Sequence, residues 1–81
     1  MEVEVLLFAA LRERVGSGRL VVPLRDGATV SELVESLRLE HPGLPPVGPA
    51  CRVAVNEVFS PGTTILRGGD VLALLPPVSG G

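Results

Sequence analysis

Near its end the chain carries Val71-Leu72-Ala73-Leu74-Leu75, an uninterrupted apolar run of strand length, followed at once by Pro76-Pro77. A strand without a polar side has no face it can leave in water, so it belongs in the middle of a sheet. Two prolines lack backbone N–H groups and fix φ near about −65°, so the ladder cannot continue past Leu75. The last residues, Val78-Ser79-Gly80-Gly81, must leave the body there. The six residues from Pro76 to Gly81 reach at most roughly 20 Å when extended, enough to enter a partner's active-site channel. Two terminal glycines remove both Cβ atoms, which suits passage through a narrow opening and leaves the last carbonyl open to attack.

The rest of the chain supplies the sheet and its cover. Val3, Val5 and Leu7 alternate with Glu2 and Glu4 before the pattern turns apolar on both sides, which reads as an interior strand. Ala9 to Val15 favours a short helical turn closed by Gly16-Ser17-Gly18. That Gly-x-Gly lacks the longer phosphate-binding fingerprint and reads as a loop. Arg19 to Leu24 is a second strand, placed toward a sheet edge by Pro23.

The one long helix has a marked start: Thr29 as N-cap, with Glu32 at the position from which a capping box reaches back. Val30, Leu33, Val34 and Leu37 form its apolar stripe. Leu39 falls off that stripe. His41-Pro42-Gly43 ends the helix, and a lone His at a helix C-terminus is expected to cap carbonyls there. After a stiff loop with Pro45, Pro46 and Pro49 comes a third strand, Arg52 to Asn56, then a tight turn at Asn56-Glu57 and a short strand fragment around Val58-Phe59.

The order predicts an α+β fold: a four- to five-stranded mixed sheet with one main helix on one face and the first and last strands side by side in the middle. Residues 1–75 are expected to form the domain and 76–81 a flexible C-terminal diglycine tail. The uncovered face and the apolar residues beside the exit, Leu75 and Val78, are candidates for partner contact.

Composition narrows the function. Hydrophobic residues make up 46% of the 81 residues but aromatics only 2%, so the core is built of Val, Leu, Ile and Ala. The net charge is −2, and the seven arginines (12, 14, 19, 25, 38, 52 and 67) are scattered singly, so no basic stripe marks a nucleic-acid partner. No apolar run has membrane-span length, and the expectation is a soluble, cytoplasmic protein without membrane contact. Lysine is absent, which removes a Walker A loop and a Schiff-base lysine. Cys51 stands alone and reads as an apolar filler, with no pair for a disulfide or zinc site.

A C-terminal carboxylate, with a pKa of about 3.3–3.7, is an anion near neutral pH and a poor electrophile. Acyl chemistry at Gly81 therefore requires prior activation, most simply by ATP on a separate enzyme, after which sulfur or an amine can displace AMP. The chain carries no organised acid–base cluster of its own.

Leu7-Phe8-Ala9-Ala10-Leu11-Arg12-Glu13, Thr29-Val30-Ser31-Glu32-Leu33, Val53-Ala54-Val55-Asn56 and Gly69-Asp70-Val71 running into Leu74-Leu75-Pro76-Pro77-Val78-Ser79-Gly80-Gly81 together resemble the β-grasp sulfur carriers of the ubiquitin fold, in particular the small subunits of molybdopterin synthases. The resemblance implies that an ATP-dependent, E1-like adenylating enzyme activates Gly81 and that a sulfur donor converts it to a thiocarboxylate. The tail then serves a large catalytic subunit in a heterotetramer, passing sulfur to cyclic pyranopterin monophosphate to form the molybdopterin dithiolene. It implies no cofactor bound by this chain, ATP being used by the activating enzyme, and no metal. Catalytic residues are expected on the large subunit, and Phe8, Arg12 and Leu75 would contact partners. Leu74 and Leu75 stand where relatives often carry aromatics. Other readings stay open: sulfur donation to thiamine thiazole or another product, a ubiquitin-like modifier joined to lysines, or an interaction module with an idle tail.

Overall fold

The computed structural model describes residues 1–77. Five strands, β1 (Glu2–Leu7), β2 (Arg19–Pro23), β3 (Arg52–Val55), β4 (Val58–Phe59) and β5 (Val71–Leu75), form one sheet in the order β2-β1-β5-β3-β4. Two helices, α1 (Ala9–Val15) and α2 (Val30–Glu40), complete it. β1 and β5 run parallel at the centre and every other pairing is antiparallel. The expectation of a mixed sheet with the terminal strands paired in its middle is met.

Period-2 alternation sorts the strands' side chains onto two faces. Val3, Val5 and Leu7 of β1, Leu72 and Leu74 of β5 and Val53 of β3 point to one face, where they join Val30, Leu33, Val34 and Leu37 of α2 in a single buried cluster. Each such side chain contributes about 1.5–3 kcal/mol when taken fully out of water. No polar or charged residue is buried among the described residues. Pro23 ends β2 at the sheet's edge, where a missing N–H interrupts no ladder.

α2 begins as expected at Thr29, whose hydroxyl accepts from the Glu32 N–H at 3.2 Å. The reciprocal half of the capping box does not form. The Glu32 carboxylate turns instead to Arg25, accepting from Nη2 at 2.6 Å, because a charged donor on the preceding turn competes better than a neutral backbone amide. At the other end it is the backbone N–H of His41, not its imidazole, that caps the helix, donating to the Leu37 carbonyl at 2.8 Å. Leu39 is 86% exposed, which accounts for its place off the apolar stripe.

The loop between α2 and β3 has no regular structure but is well tied. Arg38 Nε donates to the Leu44 carbonyl at 2.9 Å, Leu44 is buried, and Gly48 and Cys51 exchange backbone hydrogen bonds at 3.1 Å. β3 stops at Val55, one residue earlier than the sequence suggests, because Asn56 and Glu57 form the two-residue turn that pairs Val55 with Val58. Both have positive φ, 49° and 71°. Twist-matched hairpin turns require this, and Asn tolerates it, but a Glu there stores about 1–2 kcal/mol of strain.

The packing predicts a sharp contrast between two leucines of one helix. Leu33→Ala, at a fully buried site, should lower stability by about 2–5 kcal/mol, while Leu39→Ala should stay within about 0.5 kcal/mol of the parent. Urea unfolding followed by circular dichroism measures both, and similar losses would contradict the assigned helix face.

Candidate functional site

Parallel pairing of β1 and β5, with Leu7 opposite Leu74, brings the C-terminal ends of both strands to the same end of the sheet. Phe8 leaves one of them and Pro76 the other. After Phe8 the chain bends sharply at Ala9, whose φ is 48°, and runs into α1, leaving the Phe8 ring 45% exposed. One turn on, Arg12 lies across Gly18: a Cβ on that glycine would come within 3.1 Å of the guanidinium Nε. Gly18 in turn holds the end of β1, its carbonyl accepting from Leu7 N–H at 3.0 Å. Phe8 and Leu75 thus stand at the same end of the sheet, while Arg12 lies one turn into α1 against Gly18, in a separate cleft with Ala9, Glu13 and Gly16.

The departure of Pro76 and Pro77 runs over an open cleft of about 370 Å³ lined by Ala10, Leu11, Arg14, Pro45, Ala50, Pro76 and Pro77. One wall is α1 and the other the tied loop before β3. Arg14 Nη1 joins the walls by donating to the Gly43 carbonyl. Val78, Ser79, Gly80 and Gly81, the remaining tail residues, lie outside the described residues.

Among the described residues, the sheet face away from α2 has no element packed on it in the buried cluster. One cross-strand row runs Arg19, Leu6, Ala73, Ala54, Phe59, and next to it Arg52 stands opposite Leu75. The Arg52 guanidinium lies 4.2 Å from the Phe59 ring centroid, within cation–π range. Phe59 is 57% exposed, so neither of the chain's two aromatic residues is in the core. Exposed Phe, half-buried Leu6, Val71 and Leu75 and small Ala side chains make an apolar surface continuous with the tail's root, of the kind that marks an interface.

Charge divides this face along its length. Arg52 stands near the tail's root. At the opposite end lie Glu4, paired with Arg19, and Asp70, whose carboxylate accepts from Asn56 Nδ2 at 2.9 Å and from Arg67 N–H at 2.8 Å. The sequence points to the uncovered face and to Leu75 but not to Phe59 and Leu6. Phe59 is legible there only as part of a short irregular stretch, since a two-residue strand is too short to show alternation.

Cys51 is fully buried, and the loss of solvation pushes its thiol's pKa up from the ordinary range. It is a core side chain, without access for sulfur chemistry. Among the described residues no group of three or more His, Cys, Asp or Glu could hold a metal ion, and no helix is long and apolar enough to cross a membrane.

The five-stranded order with its parallel central pair and a helix on one face is that of the ubiquitin-like β-grasp proteins. SAMP1 from Haloferax volcanii superposes with a TM-score of 0.85 at 31% identity, each chain covered completely. A complex of subunits 1 and 2 of the molybdopterin-converting factor from Helicobacter pylori contains a chain that superposes with a TM-score of 0.68 at 30% identity, again with full coverage of both. A family model described as the ThiS family matches residues 5–81, and this chain belongs to that family. Among its relatives, the molybdopterin synthase sulfur carrier subunit of Arabidopsis thaliana is 36% identical over 81 residues, covering all of this chain and 84% of the relative. The protein of the same name from Mycobacterium tuberculosis is 35% identical over 82 residues, covering 100% and 99%.

Burial and the raised thiol pKa lead to a direct expectation for Cys51. At pH 8 the folded protein should react with iodoacetamide more than about tenfold slower than the urea-unfolded chain, as read by intact mass. Equal rates would show that the thiol is accessible after all.

Proposed function

We propose that this chain is the sulfur carrier subunit of a molybdopterin synthase, with the Gly81 carboxylate as the group that is charged with sulfur. Full-length similarity to proteins of that name supports the reading. The observation that carries it furthest is geometric: the parallel β1–β5 pair sets the tail's root at one end of an exposed apolar face, so a protein that grips the face receives the tail.

The chemistry begins at the carboxylate. On an ATP-dependent adenylating enzyme a carboxylate oxygen attacks the α-phosphorus of ATP, pyrophosphate leaves, and the mixed anhydride makes the carbonyl electrophilic. A persulfide donor then adds its outer sulfur to that carbon and expels AMP, and a second thiol cleaves the S–S bond of the resulting acyl disulfide, forming a disulfide with the donor and leaving a C-terminal thiocarboxylate. The thiocarboxylate keeps sulfur nucleophilic while binding it to a body that proteins recognise. In the large subunit its sulfur attacks a carbon of cyclic pyranopterin monophosphate and displaces an oxygen substituent from that carbon, and hydrolysis of the resulting thioester leaves the sulfur on the product and returns the carboxylate. Two sulfurs complete a dithiolene, so two carriers serve each product, which fits a heterotetramer with carriers at the ends of a large-subunit dimer. Acid–base work at the substrate falls to that subunit, and the carrier acts in the cytoplasm.

A second reading rests on the likeness to SAMP1 and to a relative named small archaeal modifier protein 3, 36% identical over 92 residues. The same adenylate attacked by a lysine amine would join the chain to another protein. Sulfur delivery to a different product, such as thiamine thiazole, uses identical carrier chemistry and differs only in the partner.

Removal of Gly81 alone tests the proposal. The truncated chain should unfold at the same urea concentration as the parent, because no residue of the buried cluster is lost, yet transfer no sulfur to the precursor in the presence of activating enzyme, sulfur donor and large subunit. Normal dithiolene formation by the truncated chain would contradict it.

A further inference from the structure

The turn between β3 and β4 holds one residue that local energetics disfavour and one that they explain. Asn56 fastens the turn to the start of β5: its Nδ2 donates to Asp70 Oδ1 at 2.9 Å, its Oδ1 accepts from the Val71 N–H at 3.0 Å, and its own N–H donates to the Val71 carbonyl at 2.8 Å. Glu57 has no comparable role. Its φ of 71° is one that glycine adopts freely and a residue with a Cβ does not, and its carboxylate takes part in no hydrogen bond or ion pair among the described residues. Strain held without local compensation points to a function for the side chain.

Its surroundings suggest which. Glu57 lines an open cleft of about 380 Å³ together with Leu6, Asn56, Val71 and Ala73, on the face away from α2. The cleft's floor is hydrocarbon. Of the nearby carboxylates, Glu4 is paired with Arg19 and Asp70 accepts from Asn56 and the Arg67 amide; Glu2 and Glu57 have no such partner among the described residues, and of these two only Glu57 lines the cleft. The cleft is continuous with the apolar row through Leu6 and Ala73, and it lies at the start of β5, whereas the tail leaves from its end. The separation is the length of the strand, roughly 13 Å at about 3.3 Å per residue.

We propose that Glu57 is a docking contact for the large subunit, taking an arginine or lysine side chain while an adjacent apolar side chain of that subunit fills the cleft of Leu6, Val71 and Ala73. The inference rests on the reading that this face meets the large subunit, and adds the chemistry that subunit must present. An acidic occupant would meet like charge, and a purely apolar one would bury the carboxylate unpaired. With the tail held at one end of the face and Glu57 pinned at the other, the carrier is fixed in one orientation, so Gly81 enters the channel in a single register.

The test pairs two variants with two measurements, urea unfolding of the free chain and calorimetric titration with the purified large subunit. Glu57→Gly should raise the unfolding midpoint and yet weaken binding roughly tenfold. Glu57→Gln, which keeps the Cβ and loses the charge, should leave the midpoint near the parent value, weaken binding by a similar factor and flatten its dependence on salt. A merely structural role cannot make stability rise while affinity falls. Leu75→Asp serves as the reference for the face as a whole. Loss of binding in Leu75→Asp with parental affinity in both Glu57 variants would overturn the Glu57 contact and leave the face assignment standing. Parental affinity in Leu75→Asp would remove the face assignment and the Glu57 contact with it.

Discussion

The parallel pairing of β1 with β5 is the interaction on which the rest of the molecule depends. Parallel neighbours cannot be joined by a tight turn, and here the connection between them is nearly the whole chain, including β2, α2, β3 and β4. Closing so long a loop is entropically unfavourable, and the offsetting gain is apolar: Val5 opposite Leu72 and Leu7 opposite Leu74, each at most 2% exposed, beneath the stripe of α2. The same pairing decides direction. Because both strands run the same way, Phe8 after β1 and Pro76 after β5 leave the sheet at the same end.

A second consequence is a division of labour between the two sides of the sheet. One side is pure hydrocarbon packing and contains the buried Cys51, whose chemistry is suppressed by its surroundings. The other carries the features that stability does not call for: an exposed Phe59 under Arg52, a partly exposed apolar row, and a glutamate in a backbone conformation suited to glycine. In so small a protein, with little core to spare, such departures concentrate where other proteins make contact.

Much of this is legible in the residues themselves. The unbroken apolar run before Pro76 marks β5 as central, Pro23 marks β2 as an edge, and the spacing of Val30, Leu33, Val34 and Leu37 marks the helix and its inward face. Local signals of that kind survive folding because nothing nonlocal opposes them. Where a competing partner from elsewhere in the chain intervenes, the local signal misleads: Glu32 answers to Arg25 instead of its own helix, and the backbone rather than the ring of His41 closes the helix. The open face is foreseeable in outline but not in detail, because the row joining Leu6, Ala73, Ala54 and Phe59 exists only once four strands have found their register. Diglycine, a double proline and the absence of lysine point to a carried acyl group, and the fold adds the direction in which it is presented.

The central claim is that the body serves to present a C-terminal carboxylate that other proteins load with sulfur. Intact mass spectrometry of the untagged protein isolated from its own cells, with fragmentation of the C-terminal peptide, tests this most directly. The account predicts a subpopulation in which one oxygen of Gly81 is replaced by sulfur. A population carrying only the ordinary carboxylate under conditions of active cofactor synthesis, or one found solely as conjugates through Gly81 to lysines of other proteins, would contradict it.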